Sequence, residues 1–216
     1  MKNITDYKHI IWDWNGTLFN DVDLCVKIMS GILSRRSLPV FGKEHYKNIF
    51  TFPVIKYYEL AGLDLEKFSF EDLSIEFITE YEANKYSGSL YTEVADVLAF
   101  ISGKGISQSI LSAYSQNTLE EVINHFGIPD YFNSLNGLNN IYAESKIEIG
   151  RKLMRRLNCG TGEVLLVGDS VHDFEVANEI GADAVLVSHG HQSHEILIKY
   201  DVPVITSLKE LPGYQK

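Results

Sequence analysis

From Gly88 onward the chain alternates short apolar runs with amphipathic helical stretches, and this alternation limits the fold more than any other feature. Helical spacing at about Thr92–Ser102 leads into a strand at Ile106–Leu111. A helix at about Asn117–Phe126 and a short strand near Phe132–Leu135 follow. Next come a helix at about Ser145–Leu157, a strand at Glu163–Val167, a helix at about His172–Ile180 and a strand at Ala182–Val187. A short helix and a weak strand at Val202–Ile205 close the series. Strands spaced by helices predict an α/β fold with a parallel sheet covered on both faces.

Upstream, His9-Ile10-Ile11-Trp12 reads as a short buried strand that ends at Asp13. Gly16-Thr17 break the run. Leu18, Val22, Cys25, Met29 and Ile32 then recur at helical spacing, predicting a helix over about Asp21–Arg36 that Pro39 and Gly42 end. From Lys43 to Tyr86 the pattern is helical, interrupted at Pro53, Gly62 and Ser87-Gly88, and rich in aromatics from Tyr46 and Phe50 to Phe77 and Tyr81. Those rings are expected to fill the core of a small bundle. The helical stretch at 19–87 is therefore expected as an insertion into a core made of 1–18 and 88–216.

Composition narrows the function. The chain has 216 residues, of which 45% are hydrophobic and 22% charged, as in an ordinary globular protein. No apolar run is long enough to cross a bilayer, and the N-terminus lacks a signal-peptide layout. Cys25 and Cys159 lie far apart and suggest no disulfide, and Cys25 falls on an apolar helix face as a buried, inert thiol. A reducing cytoplasm and a monomer or homodimer are expected. The net charge of −10 argues against nucleic-acid binding. An anionic ligand would need local positive charge from a metal, a lysine or helix N-termini.

Ligands of open parallel sheets bind at the carboxyl ends of the strands. The first strand delivers Asp13-Trp14-Asn15-Gly16-Thr17 there. The second delivers Ser112. The strand Glu163–Val167 delivers Gly168-Asp169-Ser170, with Asp173 four residues after Asp169. Asp13 and Asp169, from separate strands, can meet and hold a hard cation. Gly16 lets the backbone turn so that successive N–H groups face an anion, and Ser112 can donate to a phosphate oxygen. Ser145 and Glu148 form a capping box that puts Lys146 in the first turn of a helix, where the helix dipole disfavours a cation. A phosphate or a carboxylate nearby would explain it.

These residues, in this order with a helical insertion after the first strand, resemble the haloacid dehalogenase-like hydrolase superfamily, in its phosphoglycolate phosphatase-type branch. Asp13 to Thr17 match its first motif, Ser112 its second, Lys146 its third, and Gly168-Asp169-Ser170-Val171-His172-Asp173 its fourth. The proline-containing context usual around the lysine is missing. The resemblance implies a three-layer Rossmann-like core with an inserted all-helical cap. It also implies a cytoplasmic phosphatase for a small phosphorylated metabolite. Asp13 would form an aspartyl-phosphate, with Mg²⁺ held by Asp13, the Asn15 carbonyl and Asp169. Lys146, Ser112, Ala113 and N–H groups near Asn15 and Gly16 would grip the phosphoryl group. Asp173 and Thr17 would support them.

One position departs from the motif. The family's phosphatases carry a second Asp two residues after the nucleophile, which protonates the leaving group and then activates water, and this chain has Asn15 there. An amide cannot shuttle a proton, so hydrolysis is expected to be slowed, general acid–base catalysis being worth roughly 10²–10⁴-fold. Two alternatives stand beside a slowed phosphatase. A phosphonoacetaldehyde hydrolase-like enzyme would use a cap lysine as a Schiff base, with Lys43, Lys47 and Lys56 as candidates. A phosphate-binding protein without turnover would act by cap closure. His189, His191 and His194 lack a zinc-ligand spacing and are expected in a loop near the site, where His189 could reach it; His172 is expected as a helix N-terminal residue rather than a base.

Overall fold

The computed structural model describes residues 2–138 and 145–214; residues 139–144 and 215–216 of the expected core range lie outside the described residues, as does Met1. Six strands form one sheet in the order β5-β4-β1-β6-β7-β8, every neighbouring pair parallel. They are β1 (His9–Trp12), β4 (Ser107–Ser115), β5 (Ser134–Leu138), β6 (Val164–Gly168), β7 (Asp183–Val187) and β8 (Val204–Ile205). β1 and β6 are central, and every residue of both is buried. Their side chains alternate between two cores, as the two-residue period of a strand demands. Ile10, Trp12, Leu165 and Val167 face one layer with α5 (Val94–Gly103) and α6 (Gln116–His125). Ile11, Val164 and Leu166 face the other with α7 (Lys146–Leu157) and α8 (Val171–Ile180). This is the expected α/β, three-layer Rossmann-like architecture.

A third core belongs to the stretch between β1 and α5. There α1 (Val22–Arg35), α2 (Lys43–Ile49), α3 (Val54–Leu60) and α4 (Phe70–Asn84) pack around Met29, Ile32, Tyr46, Tyr57 and Leu73. The chain enters this block through β2 (Phe19–Asn20) and leaves it through β3 (Ser89–Leu90), which pair antiparallel. Sequence pattern did not predict that pair, because two residues are too few to show a period. Two expected strands also moved: β4 continues through Ser115, and β5 begins two residues after Phe132, beyond a short 3₁₀ turn at Pro129–Tyr131. A small helix, α9 (His194–Leu197), precedes β8. Among the described residues no helix is long and apolar enough to cross a membrane.

Candidate active site

The loop after β1 is tied tightly to its neighbours. The Asp13 N–H donates to the Val167 carbonyl at 2.9 Å, extending the β1–β6 ladder by one bond. The Trp14 carbonyl then gathers the N–H groups of Thr17, Leu18 and Phe19, closing a compact turn. Gly16 sits at φ +74°, the left-handed region, and a Cβ there would collide with the Asp169 carboxylate and the His191 ring. Its N–H donates to the Phe19 carbonyl and to Asp21 Oδ1. Gly16 therefore supplies clearance, and its N–H serves the Phe19 carbonyl and the Asp21 carboxylate.

Around that turn the structure gathers Asp13, Thr17, Lys146, Asp169 and Asp173, all buried. Lys146 Nζ lies 2.5 Å from Asp13 Oδ1 and 2.6 Å from Asp173 Oδ1. Thr17 Oγ1 donates to Asp13 Oδ2 at 3.0 Å and lies 3.4 Å from Asp169 Oδ1. Asp173 caps its own helix: Oδ2 accepts from the N–H groups of Asp169 and Ser170 and from the Ser170 hydroxyl. The Ser145–Glu148 capping box forms, fixing the first turn of α7 so that Lys146 points at the carboxylates.

Burial pushes the Asp13 carboxyl up to about 6, against the pull of Lys146. It pushes Asp169 up to about 8, with His191 opposing and the Asp13 and Asp173 charges adding to the rise. Burial alone would raise Asp173 as well, but Lys146 at contact distance holds it below the usual range. Two acids pushed up beside a single lysine mark a shortage of positive charge. Asp13, Asp169 and Asp173 offer carboxylate oxygens within 4.8 Å of one another. A hard, all-oxygen donor set of that kind fits a divalent cation such as Mg²⁺ or Ca²⁺ better than a soft metal.

The side chain of Asn15 enters a second buried cluster that the sequence reading did not foresee. Its Nδ2 donates to Asp21 Oδ2 at 2.8 Å and lies 2.7 Å from the Tyr81 hydroxyl. A carboxylate only accepts, so the amide must turn its NH₂ this way. Asp21 is saturated: Tyr81 donates to Oδ2 at 2.7 Å, Gly16 to Oδ1 at 3.0 Å, and His191 Nε2 lies 3.1 Å from Oδ1. Burial would raise Asp21, but the His191 charge and these donors outweigh it and hold it ionised. Burial likewise disfavours the His191 imidazolium, yet Asp21 wins and lifts His191 to about 9. The other ring nitrogen of His191 meets the Tyr46 hydroxyl at 2.8 Å. Only one signal in the sequence marked Asp21: a polar residue at the start of an apolar helix, which reads as an ordinary cap.

A family model described as haloacid dehalogenase-like hydrolase matches residues 10–187. The chain belongs to the haloacid dehalogenase-like hydrolase family. Among curated proteins it is similar to the tyrosine-protein kinase PtkA of Mycobacterium tuberculosis, 23% identical over 91% of this chain and 67% of that protein. The phosphoglycolate phosphatase of Pectobacterium atrosepticum is 22% identical over 91% of this chain and 87% of its own. The solved structure of a predicted phosphatase from Clostridium acetobutylicum superposes with a TM-score of 0.77 at 18% identity, covering 95% of this chain and 96% of the other.

In this haloacid dehalogenase-like hydrolase the carboxylate cluster opens into a cavity of about 400 Å³ under α2, α3 and α4. Ser112 and Ala113 line it, as do Asp13, Asn15, Lys146 and Asp169. Ser112 lies within β4 rather than at its end, in the stretch between Leu111 and Ser115 where the pairing with β5 shifts register. The aromatics expected to fill a bundle core do two jobs. Tyr46, Tyr57, Tyr58 and Tyr81 are buried in it, and they also wall the cavity with Phe50, Phe52, Phe70 and Phe77. Lys43, Lys47 and Lys56 do not line the cavity: Lys43 pairs with Asp23, Lys47 donates to the Ser188 carbonyl, and Lys56 is exposed. The geometry therefore offers no Schiff-base lysine among the three.

The histidines separate by role. His189 stacks on Tyr91 at 3.7 Å and meets the Thr17 carbonyl, propping the turn from outside. His191 belongs to the Asn15 cluster, and His194 is exposed at the start of α9. His172 stands in the first turn of α8, as expected, and its ring stacks on Phe52 in the cavity wall.

Proposed function

We propose that this hydrolase is a divalent-cation-dependent phosphomonoesterase that forms a phospho-enzyme on Asp13. It takes a small phosphorylated substrate in the cavity, with residues 19–87 as the cap over a core of 1–18 and 88–216. The observation that carries the reading is the setting of Asp13. Its carboxylate is buried at the cavity floor, with Lys146 on one oxygen and Thr17 on the other. The family, and a phosphoglycolate phosphatase among the relatives, support phosphoryl chemistry.

The residues divide the work. Asp13 attacks phosphorus, forming a carboxylate O–P bond as the ester oxygen departs. Lys146 and the Ser112 hydroxyl neutralise and orient the phosphoryl oxygens, with the backbone at Ala113 beside them. Asp173 holds the Lys146 ammonium in place. Asp13, Asp169 and the Asn15 carbonyl would hold Mg²⁺, which supplies charge neutralisation for the phosphate when bound. Catalysis of this kind is mostly positioning and electrostatics.

Phosphate release from phenyl phosphate, with Mg²⁺ and with EDTA, tests the reading together with Asp13→Asn. Activity should need the cation and vanish in the variant. Borohydride reduction of quenched enzyme should convert the Asp13 side chain to an alcohol, as an acyl phosphate requires. Turnover that survives both EDTA and Asp13→Asn refutes the proposal.

A further inference from the structure

We infer that the substrates of this site are aryl phosphate monoesters, compounds whose leaving group is a phenol rather than an aliphatic or carboxylate-bearing alcohol. The inference rests on the phosphomonoesterase reading and deepens it. Two independent features of the molecule converge on it: the wall of the cavity and the loss of a proton donor beside Asp13.

The wall is aromatic. Phe50, Phe52, Tyr57, Phe70, Phe77 and Tyr81 surround the space above Asp13. Flat rings at several tilts suit an aromatic guest, which gains from stacked and edge-on contacts beyond its buried area. The same wall refuses a second anion. Lys146 is the only lysine or arginine lining the cavity among the described residues, and it is already shared between Asp13 and Asp173. His191 has both ring nitrogens engaged, by Asp21 and Tyr46. His172 is stacked on Phe52 and faces Glu175. Glu82, also on the wall, is a carboxylate already paired with Lys85. A carboxylate on the leaving group would be buried without a partner, which is costly. The Tyr57 hydroxyl, buried in the wall without a hydrogen-bond partner, can meet a hydroxyl or carbonyl substituent on the ring.

The chemistry at the floor makes the same selection. Asn15 cannot protonate a departing oxygen. The nearest carboxylate, Asp21, cannot replace it, because Tyr81, Gly16, His191 and Asn15 itself occupy its oxygens. The leaving group must therefore depart as an anion. A phenol loses its proton near ~10, as the tyrosine hydroxyl does. Water, a guide to aliphatic alcohols, holds its proton far more tightly. In the first step the Asp13 O–P bond forms, the P–O(aryl) bond breaks, and the phenolate leaves with the electron pair and takes a proton from solvent. In the second, water attacks phosphorus, the Asp13 O–P bond breaks, and phosphate and a proton are released. Neither step draws a proton from Asn15.

The test compares phenyl phosphate with cyclohexylmethyl phosphate, of similar size, and with phosphoglycolate, on the full chain with Mg²⁺. Phenyl phosphate should exceed both in kcat/KM by at least ~100-fold, the lower end of what a general acid contributes. Equal or better turnover of either competitor overturns the inference and leaves the phosphomonoesterase reading standing. If no ester is hydrolysed, that reading has failed and binding decides the ligand class. Calorimetry with Mg²⁺ should then show phenylphosphonate binding more tightly than phosphonoacetate, and the reverse order overturns the assignment. Ile78 is 49% exposed at the cavity rim, so Ile78→Lys should fold. It should narrow the preference for phenylphosphonate over phosphonoacetate about tenfold, the effect of ~1.4 kcal/mol. An unchanged preference puts the leaving group elsewhere and overturns the assignment.

Discussion

Asn15→Asp is the substitution that most directly tests how this site moves protons. The Asn15 amide nitrogen lies 2.8 Å from Asp21 Oδ2. A carboxylate in its place would set two negative oxygens at that separation in a buried site. At an effective dielectric of 20, two unit charges so close repel by roughly 6 kcal/mol. The pair escapes by keeping one proton between them, as two crowded carboxylates do. His191 and Gly16 hold Asp21 ionised from its other side. The proton therefore stays on the new carboxyl at position 15, which becomes a neutral acid at pH 7 beside the leaving oxygen. That gain should be worth roughly 10²–10⁴-fold on an ester whose alkoxide leaves poorly, and little on a phenyl ester.

The assay is kcat/KM for cyclohexylmethyl and phenyl phosphate between pH 5 and 9, wild type against variant. The ratio of alkyl to aryl activity should rise at least ~100-fold in Asn15→Asp and fall again at alkaline pH as the shared proton is lost. Both substrates rising in parallel, or an unchanged ratio in a folded variant, refutes the reasoning. Either result would mean that proton supply at position 15 does not limit the reaction.

Other outcomes follow from the same geometry. Lys146→Met leaves Asp13 and Asp173 buried without their cation. It should lower the unfolding free energy by ~3–5 kcal/mol in denaturant titration, besides abolishing turnover. Gly16→Ala forces a left-handed backbone on alanine and drives a methyl group into Asp169. Mg²⁺-induced stabilisation, read as a Tm shift, should disappear in that variant. Without metal, thermal stability should fall as pH rises from about 6 to 9.5. The native state keeps the Asp169 proton up to about 8 and the His191 proton up to about 9, each above the unfolded values. Native protein therefore binds more protons than unfolded chain across that window, and stability is lost as those protons leave. Mg²⁺ should restore most at the alkaline end, where Asp13 and Asp169 are ionised and ready to bind it.

Much of this was readable in advance where one residue type has one physical use. His9–Trp12 reads as a short buried strand, and a carboxylate at its end can meet one that follows another strand of the same parallel sheet. The Ser145–Glu148 capping box located α7, and with it Lys146, although the helix dipole alone would have argued against a cation there. Contacts distant in sequence leave no such mark. Asp21 reads as a helix cap, and Tyr46, Tyr81 and His191 come from two helices and a loop with no common spacing. Only the folded chain brings them to Asn15. Gly16 illustrates a subtler limit: its part in a sharp turn could be read, but not that its N–H would serve Asp21 and Phe19.

The acidic chain raises one last question, how a protein of net charge −10 accepts an anion. The site itself is short of positive charge: among the described residues, the ones that carry positive charge and hydrogen-bond to Asp13, Asp21, Asp169 or Asp173 are Lys146 and His191. Without a cation, burial and the neighbouring carboxylates push Asp13 and Asp169 upward, and protons make up the difference. In the proposed chemistry a divalent cation displaces those protons and brings the cluster to neutrality. The N-termini of α7 and α8, bridged by the Lys146–Asp173 pair, then add their partial positive charge. A phosphate dianion meets a neutral, donor-rich floor only after that exchange. Binding must therefore be ordered, cation before phosphate. Inorganic phosphate should show no affinity for metal-free protein at pH 8 and measurable affinity once Mg²⁺ is present. Equal phosphate binding in the two states would mean that positive charge reaches the site by some route other than the carboxylate cluster.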